Sequence, residues 1–150
     1  MKSAVACGRR LNLSVVSKNS AAPGVSSLAA GDERFSKLFL SEGEPGVFVQ
    51  VPFNDLEAME SALSGGDVAA VLMETIPATY GFPLPVAGYL PGVKRLCERF
   101  GSVYIADEVQ TGLGRTGAML ACDHEGVRPD GLTLGKALGG GLLPVSAFLA

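Results

Sequence analysis

The run VAAVLM at 68–73 is apolar at every position. A strand with one wet face alternates apolar and polar residues, so a strand written this way needs cover on both faces. Helical patterns flank the run on either side in the sequence. Asn54-Asp55 caps a helix whose buried face is Leu56, Met59 and Leu63, spaced i, i+3 and i+7, and Gly65-Gly66 stops it. Beyond a turn-rich stretch, TIPATYGFPLPVAG, residues Tyr89, Val93, Leu96, Cys97 and Phe100 recur at helical spacing. Pro91 suits the first turn of that helix and Gly101 ends it.

Further strand-like runs are LSVVS (13–17), VFVQV (47–51), VYIA (103–106), GLTLG (131–135) and PVSAFLA (144–150). The stretch from Asn19 to about Gly46 is rich in Ser, Ala, Gly and Pro and gives only weak signals. Strands alternating with helices require crossovers, so the fold class is α/β: a mostly parallel sheet with flanking helices. At 150 residues the chain suits one domain, 1–150.

Open sheets of this kind bind ligands outside the carboxyl ends of their strands. VAAVLM ends in Glu74, VYIA in Asp107-Glu108, and GLTLG in Lys136. Glu74, Asp107 and Lys136 are therefore expected at one rim.

Each of the three has a plain reading beside a chemical one. Lys136 stands between the GLTLG strand and the glycines of KALGGG. A nucleotide-binding P-loop is excluded, because Gly131 precedes Gly135 by four residues and Ala137 follows the lysine. What remains is a loop lysine, or a covalent one whose amine is activated by burial at the strand end while glycine backbone admits a planar ligand. Asp107 is either paired with Arg115 or kept for a cationic ring nitrogen. Glu74 either caps the next turn or reaches substrate.

Composition removes several other classes. With 12 Lys and Arg against 15 Asp and Glu, a net charge of −3 and no basic stripe, nucleic acid is not the expected partner. No run reaches the roughly 18 apolar residues of a membrane helix, and MKSAVACGRR holds too short a patch for a signal peptide. Cys7, Cys97 and Cys122 are widely spaced and His124 is the only histidine, so no metal is expected. Such cysteines point to a reducing, cytoplasmic compartment.

The stretches IADEVQTGLGRTG and LGKALGGGLLPVSA together resemble the class III, ornithine-type family of pyridoxal-phosphate aminotransferases. FNDLEAMESAL, DVAAVLMETI and GYLPGVKRLCERFG are similar to that family in the same order. The resemblance is close over residues 53–150 and loose over 1–46. It implies part of the large domain of a fold type I transferase, with pyridoxal 5'-phosphate as cofactor.

By that resemblance Lys136 is the residue that bonds the cofactor covalently and moves a proton. Asp107 pairs with the ring nitrogen, Val109 packs on a ring face, and Gln110 meets the ring's phenolic oxygen. Glu74 matches a glutamate in the substrate site. The implied reaction moves an amino group from an amine or amino acid donor to a 2-oxo acid, in a homodimer. Racemase, aminomutase and decarboxylase chemistry share the same lysine and acid. A silent remnant that only dimerises or binds is the third outcome.

The sequence departs from the family in three places. SAAPG stands at 20–24, where an aromatic-His-Gly segment is expected. Thr75 follows Glu74 where proline is common. The family's phosphate loop and small C-terminal domain have no counterpart within the 150 residues, so the chain reads as a middle portion, expected to be silent in isolation.

Overall fold

The computed structural model describes the backbone of residues 12–15 and 48–50, and the whole of residues 51–78 and 81–150. Six strands form one sheet: β1 (Asn12–Val15), β2 (Phe48–Gln50), β3 (Val68–Glu74), β4 (Val103–Asp107), β5 (Gly131–Leu134) and β6 (Ala147–Leu149). Their spatial order is β2-β1-β3-β4-β5-β6. Every neighbouring pair is parallel except β5 and β6. The expected mostly parallel α/β sheet is therefore found, with one antiparallel edge. MKSAVACGRR and residues 20–24 lie outside the described residues.

Two helices cover one face. α1 (Leu56–Leu63) starts at Asp55, whose side chain accepts the Ala58 N–H at 2.8 Å. Asn54 has another task. At φ 66° its amide donates to the Leu84 carbonyl and accepts the Val86 N–H, both at 3.0 Å, fastening the long turn to the start of α1. α2 (Tyr89–Phe100) lies between Gly88 and Gly101, both left-handed. That conformation suits glycine, which has no Cβ to clash.

Parallel neighbours in register point their side chains to the same face. Val71 and Met73 of β3 therefore join Tyr104 and Ala106 of β4 beneath the helices. With Met59, Leu63, Leu90, Val93 and Cys97 they make the core. β3 is buried at both parities along most of its length, as its sequence requires. β4 is buried at one parity only. Tyr104 and Ala106 are sealed, while Val103 is 39 % exposed and Ile105 half-buried. All four residues of VYIA are apolar, so the string does not reveal that only one parity meets α2.

Candidate active site

The registers Glu74↔Asp107 and Asp107↔Thr133 put the last residues of β3 and β4 level with β5, just before it ends at Leu134. Glu74, Asp107 and Lys136 thus come to one rim. Burial raises the pKa of the Glu74 carboxyl above its usual 4.5. The Ala78 N–H, donated to Glu74 Oε2 at 3.0 Å, opposes that rise. The charge of Asp107 adds to the rise, and that of Lys136 lowers it. All three groups are therefore within electrostatic reach of one another. Glu74 also caps the turn beyond β3, which is its plainer reading.

Asp107 is half-buried and its Oδ1 accepts the Val109 N–H at 2.9 Å. Among the described residues Oδ2 has no hydrogen-bond partner, and no ion pair joins Asp107 to Arg115. The Arg115 alternative is thereby set aside. Lys136 is exposed, so of its two readings the burial that would activate a covalent amine is not found at the strand end. The reason is local: β5 stops at Leu134, and the chain leaves the sheet through Gly135. Lys136 itself sits at φ 43°, in the left-handed region that a non-glycine residue rarely occupies. Such strain gathers at functional sites.

Val109 and Gln110 are both half-buried. A Cβ placed on Gly135 would lie 3.2 Å from Val109 Cγ1, so the bare backbone beside Lys136 is what lets Val109 close on it. Two buried polar atoms near the rim have no partner, Gln110 Oε1 and Thr133 Oγ1. Buried polar atoms are nearly always paired, so an unpaired one asks for an explanation.

One functional candidate was not singled out by sequence reasoning. Glu108 is 1 % exposed and accepts four hydrogen bonds. ADE reads simply as a strand end with two acids. The signal was parity: consecutive strand residues face opposite ways, so only one of the pair can face the rim.

The donor set fits pyridoxal phosphate. Asp107 keeps one oxygen uncommitted, Gln110 holds an orphaned buried amide oxygen, Val109 offers an apolar surface, and Lys136 has an exposed amine. Among the described residues no three His, Cys, Asp or Glu side chains gather to hold a metal. Among those residues, too, no helix is long and apolar enough to cross a membrane.

Known proteins agree with this reading. A family model described as aminotransferase class-III matches residues 5–150, so the likeness runs through the N-terminal third, where the motifs are loose. Ornithine δ-aminotransferase from Plasmodium falciparum is 36% identical, with a TM-score of 0.75, covering 95% of this chain and 31% of that one. Acetylornithine aminotransferase from Elizabethkingia anophelis is 38% identical, with a TM-score of 0.73, over 94% of this chain and 30% of that one. Ornithine aminotransferase from Toxoplasma gondii, with PLP partly occupying its active site, is 32% identical, with a TM-score of 0.77, over 95% of this chain and 33% of that one. The chain therefore spans about a third of the length of the solved proteins it matches, at 31%, 30% and 33%. With the sheet, the rim and the matched motifs all in agreement, the chain belongs to the class III aminotransferase family.

Proposed function

We propose that this chain is the cofactor-bearing portion of a pyridoxal-phosphate-dependent aminotransferase that moves an amino group from an amino donor to a 2-oxo acid. The observation that carries the proposal is the rim itself. An exposed amine, an uncommitted carboxylate oxygen and an orphaned amide stand at the carboxyl ends of neighbouring parallel strands. When bound, the cofactor supplies an aldehyde and an electron-withdrawing ring.

In this reading each residue has one task. Asp107, steadied at Oδ1 by the Val109 N–H, offers Oδ2 to the ring nitrogen and holds a proton there. A carboxylate does this and an amide does not. Gln110 turns its amide to the ring's phenolic oxygen. Val109 covers a ring face and excludes water from it. Lys136 Nζ supplies the amine and carries a proton to and from the reacting carbon. Glu74, raised by burial and fixed by Ala78, shapes the rim on the substrate side.

The same proposal extends to assembly and place. Leu142 and Leu143, adjacent in the loop before β6, are 90% and 69% exposed, apolar surface that supports a homodimer of the complete protein. The buried free thiols of Cys97 and Cys122 support a reducing cytoplasmic setting.

The experiment is a spectrophotometric titration of the chain with pyridoxal phosphate. A bound-cofactor band that disappears in Lys136→Ala and weakens in Asp107→Asn is expected. In the complete polypeptide, Asp107→Asn should slow amino transfer by about a hundredfold or more, since each tenfold corresponds to about 1.4 kcal/mol of barrier. Identical titrations for the parent and both variants contradict the proposal.

A further inference from the structure

Glu108 stands between two residues of the proposed site, Asp107 and Val109, yet it faces the other way. It is 1 % exposed, and no ion pair reaches it among the described residues. Its carboxylate is satisfied by neutral donors alone. Oε1 accepts the Thr75 hydroxyl at 2.8 Å and the Cys122 N–H at 2.9 Å. Oε2 accepts the Ala121 N–H at 3.1 Å and the Thr111 hydroxyl.

Each oxygen thus takes one hydroxyl and one backbone N–H. The hydroxyls can reverse their role, but the two N–H groups cannot. The cage therefore needs acceptors at both positions, which a carboxylate provides and an amide side chain does not.

The four donors come from three places: the residue after β3, the loop after Asp107, and the turn at 121–122. Backbone bonds run alongside them. Thr75 N–H donates to the Asp107 carbonyl at 3.4 Å, Glu108 N–H to the Thr133 carbonyl at 3.0 Å, and Gly112 N–H to the Glu108 carbonyl at 2.8 Å. A proline at 75 could make neither of the Thr75 bonds, since it has no hydroxyl and no N–H.

We infer that Glu108 and Thr75 are positioning residues. Together they clasp the end of β3 to the end of β4, and so fix where the Asp107 carboxylate and the Val109–Gln110 segment stand at the rim. Neither residue touches a reacting group. The inference deepens the cofactor-site reading and rests on it for its functional meaning. The geometry it asserts can be measured without the cofactor.

The test compares Thr75→Val, which keeps the shape and loses the hydroxyl, with Thr75→Ser, which keeps the hydroxyl. Glu108→Gln is a third variant. Met59→Ala, a cavity under α1 away from the clasp, controls for general loss of stability. Residue-resolved hydrogen exchange on the cofactor-free chain follows the Val109 amide, which reports the bond to Asp107.

Thr75→Val is expected to speed Val109 exchange about tenfold, the scale of one lost hydrogen bond to a charged group. Thr75→Ser should stay within about twofold of the parent, and Met59→Ala should show no excess at Val109 over the core amides of Tyr104 and Leu132. Val109 exchange unchanged in Thr75→Val, or raised equally in Met59→Ala, overturns the inference. Should Glu108→Gln fail to fold, the serine and valine pair still decides.

A parallel titration with pyridoxal phosphate separates the two readings. Weaker binding in Thr75→Val than in Thr75→Ser supports the positioning role, and equal binding counts against it. Failure of the parent itself to bind overturns the cofactor-site reading, and the exchange result then decides the clasp alone.

Discussion

Glu74 shows how one carboxyl can be read from its surroundings. Burial is the largest influence on it and raises its pKa above 4.5, so the folded chain holds that proton more tightly than the unfolded one. The sign follows. This group's contribution to stability is most favourable below pH 4.5 and is lost as pH rises through the raised value. Glu74→Gln keeps an oxygen for the Ala78 N–H and removes the titration. Melting curves should therefore show the variant more stable than the parent at neutral pH, with the difference vanishing below pH 4.5. A variant less stable than the parent at every pH would contradict this account of the rim. At this same scale lies what the sequence did not disclose. Asp107 and Glu108 are chemically near-identical neighbours, and only strand parity sends one to the rim and the other inward. Lys136 was legible as a strand-end residue, yet its exposure depends on where β5 stops, and GLTLG does not mark that point.

Elements were easier to read than residues. α1 and α2 follow from apolar spacing and from their caps, because a helix face is written in the sequence at fixed intervals. β3 follows from a run with no polar parity. The antiparallel pairing of β6 was not legible, since PVSAFLA gives a strand without its direction and the connection over 135–146 is long enough for either a crossover or a direct return. Loop geometry is the hardest level, and Gly112 illustrates it. Its Cβ would lie 2.8 Å from the Glu108 carbonyl oxygen and 3.0 Å from Leu134 Cδ2. Leu134 can adjust, but the Glu108 carbonyl is backbone, held in the loop by the clasp. Gly112→Ala should therefore lower stability by about 1–3 kcal/mol, the usual cost of overpacking. Urea unfolding measures it. A midpoint within error of the parent would show that the 107–112 loop is looser than described.

Across the whole chain, the physics divides by face. One side of the sheet is closed by α1 and α2 over Val71, Met73, Tyr104 and Ala106, and this closure holds the strand ends in register. The carboxyl ends then bring together groups that lie more than sixty residues apart in sequence. That juxtaposition is what family membership and geometry both point to, and it makes a single chemical forecast. Lys94 is engaged by Asp130 at 2.5 Å and by Glu98 at 3.3 Å, whereas among the described residues Lys136 is exposed and in no ion pair. An aldehyde should therefore select Lys136. The measurement is borohydride reduction of the chain after brief exposure to limiting pyridoxal phosphate, followed by peptide mapping. The account predicts the reduced adduct on Lys136 in excess over Lys94, and its loss in Lys136→Ala. Label spread evenly over the lysines, or concentrated on Lys94, would contradict it.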